Sequence, residues 1–137
     1  MIDDNYNPVK FGLEPNNVIM EKLNKLNYSH LAIEMVASYG MAVGKTVFDT
    51  CVFIGRFIEI ANNRHIPFTQ IYRLEEKMNI CHDSRAKDAN IRQALIDRFG
   101  NVGTKKNPGF FYGFKKDIWA SFAVGCTYID KYVKKNT

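Results

Sequence analysis

The chain has 137 residues, of which 46% are hydrophobic and 24% charged, and it carries a net charge of +5 with a pI near 9.1. That length supports one core and excludes two ordinary domains, while the composition excludes a disordered chain, so a single domain over residues 1–137 is expected. No apolar run approaches the roughly 20 residues of a membrane span, and Met1-Ile2-Asp3-Asp4 has neither region of a signal peptide, which predicts a cytoplasmic protein with no membrane partner.

In chain order, Met1 to Asp4 begins like a strand, Asn5-Tyr6-Asn7-Pro8 has turn chemistry, and Val9 to Leu13 alternates, so a β-hairpin is expected here. Pro15-Asn16-Asn17 opens a helix to about Leu26, with Val18, Ile19, Leu23 and Leu26 on its apolar stripe. His30 to Ser38 is a short apolar, β-branched run and reads as a strand buried on both faces, with Glu34 in its middle. A long helix follows from Gly44 to Asn62, where Val47, Phe48, Cys51, Ile54, Phe57, Ile58 and Ala61 recur at helical spacing.

Phe68 to Arg73 reads as a second strand and Leu74 to Ile80 as a short helix. Ala86 to Phe99 forms a further helix, with Ile91, Ala94, Leu95 and Phe99 inward and Gly100 at its C-terminal cap. Asn101 to Phe114, rich in Gly, Lys and aromatics, reads as a loop. Lys115 to Val133 is the last helix, its buried side marked by Ile118, Phe122, Gly125, Cys126, Ile129 and Val133. Strands alternating with helices predict an α/β layer fold. Cys51, Cys81 and Cys126 are odd in number and far apart, as reduced cysteines are.

Charge is unevenly placed. Between Asn101 and Lys116 there are four lysines, Lys105, Lys106, Lys115 and Lys116, and no acid. Such a stretch suits a phosphate backbone, whose neutralisation releases counterions. Gly40 to Thr46 resembles a phosphate-binding P-loop that is one residue short between its glycines, and no later strand ends in a magnesium-binding Asp. A nucleotide-binding protein is therefore the weaker alternative, with Lys45 as an exposed helix-start residue. Cys81-His82-Asp83 lacks the second ligand pair of a zinc site.

Two carboxylates compete for a chemical role. Glu34 in a buried strand must find a cation or hydrogen bonds, because burying an unpaired charge costs several kcal/mol. It is a salt-bridged core residue, a residue whose side chain escapes at the sheet edge, or a metal or catalytic carboxylate at a strand end. Asp117 opens the last helix, where the helix dipole favours a carboxylate. It is either a structural helix-start residue or Glu34's partner in holding Mg²⁺, which takes oxygen ligands and keeps several waters.

His30 to Val36, Arg85 to Leu95 and Asp117 to Val124, in that order, resemble the successive blocks of the RuvC-type Holliday-junction resolvases and their phage-encoded relatives. The resemblance runs from about Ile2 to Tyr132. It implies a ribonuclease-H-like mixed sheet flanked by helices, a homodimer, and cleavage of branched or double-stranded DNA with Mg²⁺ or Mn²⁺. Glu34 matches the family's acid on the fourth strand and Asp117 an acid opening the last helix, which makes both metal ligands and catalytic residues. Lys87 matches a lysine near the scissile phosphate, and Lys77, across a one-residue gap, either matches a second basic position or is a solvated helix-face residue. Arg85, Lys77, Lys105, Lys106, Lys115 and Lys116 complete the expected DNA-binding set.

The family's first strand, with its Gly-Ile-Asp-Pro-Gly-like segment and primary metal Asp, has no counterpart. The match starts at Ile2-Asp3-Asp4, inside what should be the second strand, so an N-terminally truncated domain is expected. A further family acid falls at Ala120, and Asp3 and Asp88 are the acids available to replace a missing one. A non-catalytic DNA-binding module of the same fold is the main rival function.

Overall fold

The computed structural model describes residues 1–135. The chain is α/β, and it gathers into two compact units. One, the β unit, is Glu14–Arg73. The other, the helical unit, combines Met1–Leu13 with the chain from Leu74 onward.

The β unit is built from helix α1 (Asn16–Lys25), strand β1 (Leu31–Met35), helix α2 (Lys45–Asn63) and strand β2 (Phe68–Tyr72). β1 and β2 pair in parallel, Leu31 opposite Phe68 and Glu34 opposite Ile71, with α2 as the crossover that parallel pairing requires. α2 packs on both strands and α1 packs on α2. Ile54, Phe57 and Ala61 of α2 and Ile71 of β2 are buried. The stripe reaches solvent at the N-terminal half of α2, where Phe48 and Val52 are exposed.

The helix ends are joined by Arg64, which follows α2. Its Nη1 donates to the Leu23 and Leu26 carbonyls at the end of α1 (2.6 and 2.8 Å), and its guanidinium lies over the Tyr28 ring. Those carbonyls have no partner within their own helix, so the arginine satisfies what the helix end leaves open.

β1 is not buried on both faces: each of its residues is partly exposed. The sheet among the described residues has only two strands, so β1 is paired along one edge only. Lys45, the first residue of α2, is 87% exposed and pairs with Asp49 one turn on (2.6 Å), as a helix-start lysine does.

The helical unit holds α3 (Arg73–Cys81, which starts at the unit boundary), α4 (Asp88–Phe99) and α5 (Asp117–Tyr128). α5 continues into a π-helical turn at Ile129–Val133. The expected hairpin at the N-terminus reduces to one antiparallel bridge, Ile2 with Pro8. Pro8 has no N–H to extend a ladder, and the Asp3 carboxylate instead takes the N–H groups of Asn5 and Asn7 (2.9 Å each). Asp3 is thereby committed to a turn. Ile2 packs against Gly125, where an added Cβ would meet Ile2 Cγ2 at 3.1 Å.

Gly100 caps α4 as its position predicts, its N–H bonding the Ile96 carbonyl with φ at +128°. The stretch from Asn101 to Phe114 lacks regular structure but is no surface loop throughout. Phe111 and Phe114 are buried with Ile91, Leu95, Ile118, Phe122, Ala123 and Cys126 in the main core of this unit. From Phe122 to Thr127 α5 is buried on every face. All three cysteines are free, and Cys126 is the buried one. Among the described residues no helix is long and apolar enough to cross a membrane.

Candidate nucleic-acid interface

α4 and α5 pack against each other, and their contacts give their relative direction. Arg92 lies over the Trp119 ring (5.8 Å), and further along Arg98 reaches Cys126 Sγ (3.6 Å) and the Asp130 carboxylate (2.8 Å). Moving forward along one helix moves forward along the other, so the two N-terminal ends lie at the same end of the unit. Helix starts carry unpaired N–H groups and a partial positive charge.

The residues that lead into these starts are basic. Before α4, Asp83 accepts the Arg85 N–H (2.9 Å) in a local turn that leaves the Arg85 side chain 92% exposed. Lys87 follows as the N-cap residue. Its N–H donates to Asn90 Oδ1 (2.8 Å), so its backbone is fixed while its side chain stays in solvent. Lys115 and Lys116 are exposed just before α5, and Lys116 adopts a left-handed conformation, φ +48°. Asp117 is exposed on the first turn of α5. This end thus gathers Arg85, Lys87, Arg92, Lys115 and Lys116 with three acids, Asp83, which lies 3.7 Å from the Arg85 guanidinium, Asp88 on the first turn of α4 and Asp117.

Lys105 and Lys106 stand at the tip of a separate turn, exposed, between Thr104 and Asn107, whose backbones bond each other in both directions (3.1 Å). The turn is held by the bridge of Gly103 with Pro108. Any Cβ on Gly103 would collide with the backbone of Asn107 (2.6 Å) and Gly109, so its side-chain-free, φ +77° conformation is required. This turn leaves from the C-terminal end of α4. Lys77 is half-buried on α3.

Glu34 and Asp117 fall in different units, Glu34 half-buried on β1 and Asp117 on α5. Their carboxylates are the donor type that Mg²⁺ takes, but among the described residues no three His, Cys, Asp or Glu side chains converge into a ready-made metal cage. No protein-family model matches the chain, and no curated protein matches it significantly.

The densest polar constellation is elsewhere in the helical unit, around Asp130. Its two oxygens accept from Tyr6 Oη (2.6 Å), Asn79 Nδ2 (2.8 Å) and both Arg98 Nη atoms (2.8 Å), and Cys126 Sγ approaches at 3.7 Å. The N-terminal turn, α3, α4 and the last helix therefore meet on one carboxylate. Burial alone would raise the Asp130 carboxyl, but the hydrogen bonds from Arg98, Tyr6 and Asn79 hold it well below the usual carboxylate range. Burial, then the bond to Asp130, pushes the Tyr6 phenol up to about 12. Burial, then the Asp130 charge, does the same to the Cys126 thiol, which reaches about 12 and stays protonated.

The sequence reading overlooked this cluster, although its signal is the one that singled out Glu34: a carboxylate beside Ile129 on an otherwise apolar helix. Its role is structural. Asp130→Ala should cost about 2–3 kcal/mol, the low end for several charge-assisted hydrogen bonds, because Arg98 is 41% exposed and regains water. The wild-type stability from Asp130 is complete above its unfolded pKa of about 4 and declines as acid protonates the unfolded chain first. Urea midpoints at about pH 6 and about pH 3 should converge between wild type and variant on the acid side. A constant gap would refute the linkage.

Proposed function

We propose that this chain binds branched or double-stranded DNA through the basic end of the helical unit, where α4 and α5 begin together. The observation that carries this reading is the shared direction of α4 and α5, which brings Arg85, Lys87, Arg92, Lys115 and Lys116 to one end. Five cations against three acids there, Asp83, Asp88 and Asp117, leave an excess of positive charge, and with two helix starts they offer phosphates both charge and N–H donors.

In its fuller form the proposal is a cytoplasmic, dimeric resolvase-type endonuclease of ribonuclease-H-like fold using Mg²⁺ or Mn²⁺. That form rests on the sequence resemblance, which nominates Glu34 and Asp117 for the metal and Lys87 for the phosphate under attack. The α/β character of the chain is compatible with it. The non-catalytic DNA-binding module is the second reading, and it shares the same basic end.

Binding of a labelled duplex and a four-way junction across a salt series tests the shared part. Lys115→Gln combined with Lys116→Gln should make the plot of log affinity against log salt shallower by about 2, close to one unit per lost phosphate contact. Lys25→Gln with Lys45→Gln, lysines already paired with Glu21 and Asp49, should leave the slope unchanged. An unchanged slope in the first pair would reject the interface. Product formation from the junction on Mg²⁺ addition separates the nuclease from the module.

A further inference from the structure

Between the buried Phe111 and Phe114, Tyr112 is 42% exposed. Gly113 follows, where a φ of +88° turns the chain and the missing side chain leaves a seat for another ring. Phe11 takes that seat. A Cβ on Gly113 would lie 3.3 Å from Phe11 Cε2, and the Phe11 ring meets Phe114 at 4.7 Å between centroids while remaining 47% exposed. Phe114 in turn packs edge-on against Trp119 (5.2 Å), which ties this aromatic surface to the first turn of α5.

The segments that supply these rings are basic, with Asp3, Asp4, Glu14 and Asp117 at their borders. The stretches that supply them, Asn5 to Leu13 and Asn101 to Lys116, carry Lys10, Lys105, Lys106, Lys115 and Lys116 and no acid. Exposed rings in segments that also carry exposed cations, Lys10 next to Phe11 and Lys115 and Lys116 just after Phe114, complement a polyanion whose flat faces are free, which describes a nucleic acid with unpaired bases. In an intact duplex those faces are stacked on one another and out of reach.

We propose that Tyr112 and Phe11 form a stacking surface for unpaired nucleotides, so that this end of the molecule prefers single-stranded or opened DNA to closed duplex. This rests on the DNA-binding reading above. It adds a substrate preference that lysines alone do not give, since phosphate contacts are blind to pairing.

Fluorescence anisotropy with a labelled oligothymidylate of about 12 nucleotides and a duplex of matched length tests it. Tyr112→Ala should weaken single-strand binding by about ten-fold, the loss of one stacked base, and leave duplex binding within about two-fold. Tyr112→Phe should retain both affinities, because it keeps the ring. Tyr112 is exposed and outside the core, so the alanine variant should fold, and an unchanged circular-dichroism melt is the check. Equal losses on both probes, or none on the single strand, would overturn the stacking surface without touching the reading of a lysine-lined DNA interface. Absence of binding to either probe by the wild type would overturn this inference and the reading beneath it together.

Discussion

Phe111→Ala is expected to destabilise the protein by about 3–5 kcal/mol, a large share of the stability of a chain this size. The side chain is fully buried at the centre of the helical unit. It meets Trp119 at 4.8 Å, Phe110 at 4.8 Å, Phe122 at 5.1 Å and Phe114 at 5.1 Å, mostly edge to face. Truncation removes the transfer energy of a phenyl ring and leaves a cavity that rigid aromatic neighbours cannot collapse to fill. It also removes ring pairs worth about 0.5–1.5 kcal/mol each beyond their area. Trp119 is the chain's one tryptophan and touches the site, so its emission reports the unfolding in urea directly. Tyr112→Ala, the adjacent but exposed position, should shift the midpoint by no more than about 0.5 kcal/mol. A Phe111→Ala loss below about 1 kcal/mol would mean that the stretch before α5 is a surface loop after all.

That contrast shows what could be read from the sequence. The helices were legible because each writes a repeating apolar stripe, and the boundaries of α1, α2, α3 and α4 fall within a few residues of those expected, with Gly100 at its cap. Phe111 was not legible. In a segment crowded with Gly, Lys and Asn no period marks which rings turn inward, and the alternation of Phe111, Tyr112 and Phe114 is decided by one left-handed glycine at position 113.

The same limit explains the N-terminal stretch and the last helix. Turn residues at Asn5 to Pro8 correctly indicate a reversal, but Asp3 takes the amides that a hairpin would pair across. Asp130 draws partners from residues 6, 79 and 98, separations over which a local pattern carries no information. As for the candidate site, its basic residues were legible as charge. Which of them share an end of the unit depended on the direction of α5 along α4, and that follows only from tertiary packing.

In the nuclease reading, Glu34→Gln should reduce metal-dependent cleavage of a four-way junction to background while leaving junction affinity within about two-fold. The substitution keeps the shape and removes the charge, so a ligand role and a packing role predict opposite outcomes. Glu34 is half-exposed on β1, opposite Ile71. If its charge serves to hold the sheet, the amide should lower stability by more than about 1 kcal/mol, because a partner loses its counter-charge. If it serves a cation, stability should stay within about 0.5 kcal/mol or rise, since a carboxylate kept for chemistry opposes folding at its site. Asp117→Asn is the matching experiment at a helix start. Loss of the favourable dipole contact should cost about 0.3–1 kcal/mol whatever the function, and only a metal-dependent nuclease should also lose its product. Full cleavage by either variant would remove that carboxylate from the chemistry. Retained junction binding with no product from the wild type would leave the lysine-lined end of the helical unit as the functional surface.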